Sequence, residues 1–419
     1  MVNNLLQLSL SEILSALLSN ISLKAQRTCK KMDDLKFIKI CLSRVVHQHS
    51  SGRDYLQYLQ DLNYHNIARS TFFDALHSHR RKDFIKQCSN NFYKNLNSKV
   101  TKEIDYLKDF SELTGFNVIS GDGHFIQHAS HTKRNGKNKV YAPGSIYLQN
   151  LRNGLIQHLS TISDGTKKYH ELPILKKALN FTSSKKDKTI YVLDKAYISS
   201  VFWMKMFFKK QYIITRLKEN HDLTVIGINY FDPNDPVNTG VQKDCIVEFA
   251  SGGMIVRVIV YNDPETGKQY KFFTTLNNQK IRPGTICYLY FLRWQIEKSF
   301  DCFKNSFHEK KAWATGTNAL EIQNSCIAMF YNLLLFLQLI LKKKNIEDNK
   351  TKNKFMVNLK IREKIAEKYE RSIHPLMRKI IRLYRITSQF IRLIRNHFFS
   401  NINLKDLLPL FLRRMTCYL

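Results

Sequence analysis

The segment that most narrows the possible folds is Thr189-Ile190-Tyr191-Val192-Leu193-Asp194. A run of β-branched and aromatic residues without polar alternation is the pattern of a strand buried on both faces, found where helices cover both sides of a largely parallel sheet. Helical stretches are predicted before it, near Pro173–Asn180, and after it, over Ser199–Phe208, with a further strand over Tyr212–Arg216. That alternation predicts an α/β fold. Upstream, Phe116–Ser120 reads as a strand leading into Gly121-Asp122-Gly123, and Ser145–Leu151 and Leu155–Ile162 flank Arg152-Asn153-Gly154 as the arms of a hairpin. Residues 217–282, rich in Val, Ile, Thr and turn formers, read as an inserted β-rich subdomain whose clearest strand is Met254–Tyr261.

The flanks follow a different period. Apolar residues at spacings of three and four in Leu5–Leu18 and Phe37–Val46 predict a helical region over 1–110. A second helical region, strongly basic, is expected over 341–419, which leaves 111–216 and 283–340 for the α/β core around the insertion. Asn66–Leu76, polar at its start and apolar behind, has the pattern of a DNA-recognition helix or of an ordinary bundle helix. Ile373–Phe399 alternates apolar residues with Arg378, Lys379, Arg382, Arg385, Arg392 and Arg395, the pattern of a solvated helix face or of a phosphate-binding one.

Charge narrows the choice of partner. The chain carries 66 Lys and Arg against 34 Asp and Glu, a formal charge of +32. A field of that sign attracts polyanions, so nucleic acid is the leading partner and an anionic membrane surface the weaker one. The longest apolar run, Cys326–Leu341, is interrupted by Asn332 and Gln338 and falls short of the roughly 20 residues that a bilayer span needs; it predicts a buried core helix. No signal peptide is expected. The eight cysteines are scattered without zinc-ligand spacing, which points to a reducing compartment and sends the search for a metal site to Asp and Glu.

The segment Tyr290–Lys304 carries the chemistry. On one continuous helix, Tyr290, Arg293, Glu297, Asp301 and Lys304 would share a polar stripe beside an apolar stripe of Leu289, Leu292, Ile296, Phe300 and Phe303. An amphipathic surface helix with charge pairs would look the same. Tyr290, Arg293, Glu297 and Lys304 stand, however, at Y-x2-R-x3-E-x6-K, which resembles the signature of bacterial insertion-sequence transposases with an Asp-Asp-Glu triad. The resemblance extends to Asp122 and Asp194 as the first two acids, to Asp194-Lys195-Ala196-Tyr197, to Tyr212–Arg216 and to Trp313-Ala314-Thr315-Gly316. It covers about residues 110–340.

The resemblance implies a core similar to ribonuclease H and retroviral integrase, interrupted by a β-rich insertion between the second Asp and the Glu, with helical N- and C-terminal regions. It implies that Asp122, Asp194 and Glu297 are the catalytic and metal-binding residues. They would hold Mg2+ or Mn2+, as two ions with Asp122 bridging, for in-line phosphoryl transfer. Tyr290, Arg293 and Lys304, and Arg216 with them, would meet DNA phosphates. The expected partners are double-stranded DNA, as element ends and target, and a second copy of the chain in a synaptic homodimer; no membrane is expected, and the location is cytoplasmic. A noncatalytic transposase-derived DNA-binding protein and a structure-selective RNase H-like endonuclease use the same residues and remain alternatives.

Other residues have two readings. Asp164, in a turn, rivals Asp122 as first acid. His124 suits a metal or substrate contact or a structural role, and His170-Glu171 an accessory acid or a sheet-edge polar group. Trp203 and Trp294 suit stacking on an extruded base or a hydrophobic core.

Overall fold

A mixed sheet runs through the middle of the molecule. The computed structural model describes residues 7–19, 32–47, 51–64, 66–126, 128–129, 142–163, 170–182, 188–217, 223–249, 253–277, 279–307, 309, 311–343, 349–376, 388–407 and 409. Asp164, Arg378, Lys379, Arg382 and Arg385 lie outside them. Among the described residues the sheet has nine strands: β1 Phe116–Phe125, β2 Gly144–Asn150, β3 Ile156–Ser163, β4 Lys188–Leu193, β5 Gln211–Arg216, β6 Leu223–Ile228, β7 Val241–Phe249, β8 Met254–Asn262 and β9 Gln269–Thr274. Their spatial order is β3-β2-β1-β4-β5-β9-β8-β7-β6. The predicted hairpin is β2–β3, antiparallel to each other, with β2 antiparallel to β1. Strands β4 and β5 run parallel to β1 and to each other.

Among the described residues, the strands of 217–282 do not form a separate sheet. Strand β9 pairs antiparallel with β5, Phe272 opposite Arg216, and β8, β7 and β6 follow outward, so the inserted strands prolong the core sheet. A buried ion pair binds them together: Arg257 on β8 holds Asp244 on β7 and donates Nη1 to the Ile281 carbonyl at 2.8 Å.

Alternation along the strands sorts side chains between two cores. Val118, Ile190, Val192 and Ile214 face one side, covered by α8 (Pro283–Leu292) through Ile286, Leu289 and Leu292. Leu193, Tyr191 and Ile213 face the other, covered by α6 (Glu171–Thr182) through Leu175 and Leu179 and by α7 (Ser200–Phe207) through Trp203. This double cover is what the apolar run at β4 requires.

The helical flanks share a third core. Helices α1 (Leu10–Ser19), α2 (Asp34–His47), α3 (Gly52–Asp61), α4 (Arg69–His77) and α5 (His79–Val100) precede the sheet; α9 (Trp294–Ser306), α10 (Thr317–Lys343), α11 (Asn349–Lys368) and α12 (Ser388–His397) follow it. Helix α10 packs on α5, α2 and β3. Its stretch Thr317–Leu339 is long and apolar enough to cross a bilayer, yet the apolar window is wholly buried inside the protein, as expected of a core helix. Phe390, Ile391, Ile394 and Phe398 of the C-terminal region join the same cluster as Phe37, Ile38 and Val45 of α2. Arg395 donates to the Val46 carbonyl at 2.7 Å, whereas Arg392 is exposed, so neighbouring arginines on one helix serve different ends. Of the predicted recognition helix, Phe72, Ala75 and Leu76 on α4 are buried, while Arg69 and Ser70 at its start face solvent.

Candidate active site

Parallel pairing places the two aspartates. Gly121 on β1 is in register with Leu193 on β4, so Asp122 and Asp194, the next residue on each, stand side by side on adjacent strands, roughly 5 Å apart by ordinary strand spacing. They share the parity of Val118 and Val192 and so face α8. Asp194 directly follows β4, and its carbonyl accepts the Tyr197 amide at 3.0 Å, opening the short turn Lys195–Tyr197.

Glu297 arrives from that same side, but not on the single helix the periodicity predicts. Helix α8 ends at Leu292 and α9 starts at Trp294. Arg293 sits at the junction, where Arg293 N bonds the Tyr290 carbonyl and Ile296 N the Arg293 carbonyl, three-residue turns at 3.2 and 3.1 Å. Across this junction the residues of the expected stripe differ in burial. Tyr290 turns into the core at 6% exposure, its ring 4.9 Å from that of Phe272. Glu297 is half exposed, and Lys304 lies two turns further along α9, exposed.

Arg293 is buried at this junction. Its Nη1 donates to Asp122 Oδ2 at 2.9 Å and its Nη2 to Glu297 Oε1 at 3.1 Å, so one guanidinium links two acids that are far apart in the chain. Burial works against the Arg293 cation, yet Asp122, Tyr290, Glu297 and Asp194 together raise its pKa. Burial also pushes the Asp122 carboxyl up to about 6; Arg293 and the Gly123 amide hold it down, while Glu171 and Glu297 add to the rise. Tyr290 is raised as well, chiefly by burial, with Arg293 and Arg216 opposing and Asp194 assisting. Arg216, at the end of β5, lies over the Tyr270 ring at 4.9 Å.

The donor set is three carboxylates, the oxygen ligands that Mg2+ and Mn2+ prefer. As the side chains stand, no group of three or more His, Cys, Asp and Glu among the described residues is close enough to hold an ion. Arg293 bridges Asp122 and Glu297, whose oxygens are of the kind a divalent ion takes.

The structure places several of the residues with two readings. His124 is buried, its Nε2 2.7 Å from Glu309 Oε2 and its ring among Phe300, Phe303 and Tyr147, a contact that ties β1 to the chain after α9. Trp203 is wholly buried and donates Nε1 to the Tyr197 carbonyl at 2.9 Å. Trp294, by contrast, is 57% exposed beside Arg293. Glu171 is in the first turn of α6, on the far side of β1, and accepts a hydrogen bond from the Tyr197 hydroxyl. Burial, then Glu171, Asp122 and Asp194, push that phenol far up, so it remains a donor.

Two features escaped the sequence. The contact of Arg293 with Asp122 and the link between Glu171 and Tyr197 join residues that only the fold brings together. The family described as transposase DDE domain matches residues 114–333, a little over half of the chain. No curated protein matches it.

Proposed function

Because this chain belongs to the family of transposase DDE domains, we propose that it is a DNA transposase that binds the terminal inverted repeats of its insertion sequence and catalyses metal-dependent strand cleavage and strand transfer. The observation that carries this reading is the convergence of Asp122 and Glu297 on one guanidinium, with Asp194 on the strand adjoining Asp122. The first five strands, in the order β3-β2-β1-β4-β5 with β4 and β5 parallel to β1, support an RNase H-like core.

Asp122, Asp194 and Glu297 are the proposed ligands of two Mg2+ or Mn2+ ions, which when bound activate the attacking oxygen and stabilise the leaving one. The rest falls to the side chains. Burial, Glu171 and Glu297 push the Asp122 carboxyl up, so a nearby cation favours its charged form, and Arg293 supplies one in the meantime. Released from Asp122 and Glu297, Arg293 can offer its two-pronged donor face to a phosphate of the scissile strand. Tyr290 backs that arginine, with the guanidinium carbon 5.7 Å from its ring centroid. Arg216 and Lys304 extend the positive surface along the DNA. Water as nucleophile nicks the element end; a 3′-hydroxyl in the same place joins it to target DNA.

The basic flanks are proposed to hold double-stranded DNA and a second copy of the chain in a synaptic complex, in the cytoplasm and away from membranes. The test is nicking of DNA that carries the element's terminal repeats. Asp194→Asn and Glu297→Gln are expected to abolish nicking in Mg2+ or Mn2+ while binding persists; full cleavage by both variants would refute the reading.

A further inference from the structure

Behind the proposed metal ligands, on the opposite face of β1, a short chain of contacts connects Asp194 to α6. The Tyr197 amide bonds the Asp194 carbonyl at 3.0 Å, the Tyr197 carbonyl accepts Trp203 Nε1 at 2.9 Å, and the Tyr197 hydroxyl donates to Glu171 Oε2. Trp203 is sealed in the core and Tyr197 is 1% exposed, so the turn after Asp194 is anchored at three points. The link to α6 passes beneath β1 at Gly123. A Cβ added there would lie 2.5 Å from Glu171 Oε1 and 2.8 Å from its carboxyl carbon, closer than side chains approach one another. Gly123 is next to Asp122, and its amide also bonds Asp122 Oδ1 at 2.9 Å. The same few atoms therefore touch the supports of both aspartates.

We propose that Glu171 and Tyr197 are positioning residues, a strut that fixes the spacing of Asp194 from Asp122, and that Gly123 is glycine to let the strut pass. The proposal rests on the reading that Asp122 and Asp194 hold the divalent ion. It assigns Glu171 no contact with that ion: its carboxylate acts as an acceptor for Tyr197. Side chains that orient metal ligands characteristically change metal affinity by 10–100-fold when removed.

The experiment titrates Mn2+ into the full-length protein by calorimetry and, in parallel, follows Mn2+-dependent nicking of repeat DNA. Tyr197→Phe and Glu171→Ala are expected to weaken Mn2+ binding about tenfold and to raise the Mn2+ concentration for half-maximal nicking equally. Gly123→Ala, which pushes the carboxylate aside, should do the same. Glu171→Gln, still an acceptor for the phenol, should restore most of the affinity. Repeat-DNA binding and melting temperature should stay near wild type. Wild-type Mn2+ affinity in Tyr197→Phe and Glu171→Ala would overturn the strut, as would a Glu171→Gln variant as weak as Glu171→Ala, since charge rather than the hydrogen bond would then matter. A melting temperature lowered enough to explain the loss would also overturn it, by making the pair a fold element alone. Should the wild type bind Mn2+ through Asp122 and Asp194 yet cleave nothing, the transposase reading fails and the strut is still decided by the binding data.

Discussion

Replacing Asp244 by Asn tests whether the inserted strands are rigidly joined to the site. Arg257 gives Nε to Asp244 Oδ1 at 2.8 Å and Nη2 to Oδ2 at 2.5 Å, with side-chain exposures of 2% and 1%. Asn229 Nδ2 adds a third donor to the carboxylate at 3.1 Å. Asparagine keeps the shape but leaves the guanidinium without its counter-charge. Breaking a buried pair on one side costs about 3–5 kcal/mol; the lower end applies here because the Ile281 carbonyl still accepts from Arg257 Nη1. Adding Arg257→Met removes the stranded charge, so the double variant should lose only hydrogen bonds, about 1–2 kcal/mol. Amide hydrogen exchange reads this locally, without requiring the whole chain to unfold in one step. About 3 kcal/mol corresponds to roughly hundredfold faster exchange over residues 241–262 and 281–292. Because Ile281 precedes α8, nicking should fall as well. Exchange within about threefold of wild type in Asp244→Asn, or a double variant that loses the sum of the singles, would show that the pair does not lock the insertion to the helix.

Three further outcomes are expected. Burial pushes His158 down to about 4, with Glu321 opposing and Lys86 assisting; burial pulls Glu321 up, but His158, Lys86 and the Thr161 amide outweigh it and hold it at about 2. Both values are depressed, so the unfolded chain takes up more protons below pH 6.5. Stability should therefore fall from pH 7 to pH 4, by roughly 3 kcal/mol through His158, and further as Glu321 titrates; a urea midpoint for His158→Asn that falls as steeply as wild type between pH 7 and pH 5 would refute this. Gly284→Ala should lower the melting temperature sharply, because its Cβ would stand 1.8 Å from the Val237 carbonyl oxygen, where the backbone has no room to give. Lys304→Ala should weaken DNA binding across all sequences and reduce the salt slope of the affinity by about one, and an unchanged slope would remove Lys304 from the DNA surface.

What the sequence determined by itself was local. The apolar run at 189–193 requires cover on both faces, and the structure supplies α8 on one and α6 and α7 on the other. The hairpin around 152–154, the acid that follows the strand ending at Leu193 and the buried character of 326–337 were legible because residue period and turn chemistry act over a few neighbours, whereas Asp122, read as following its strand, lies within β1. The Y-x2-R-x3-E-x6-K spacing pointed to a DDE transposase, and the family match over 114–333 bears out that much.

What only the tertiary structure decided was which faces meet. Periodicity laid Tyr290 and Arg293 on one polar stripe, but the helix is interrupted at Arg293, and packing places Tyr290 against Phe272 and the guanidinium on Asp122. The inserted strands looked like a unit of their own, and the pairing of Phe272 with Arg216 makes them one sheet with the core. Glu171 and Tyr197 were visible as residues and not as a pair, because the hydrogen bond between them exists only once α6 and the end of β4 have closed over Gly123. The physical reason is common to all three. A side chain's direction within its element follows from its neighbours, whereas its partner across the core is set by sheet register and by the charges and voids that folding brings within a few ångströms.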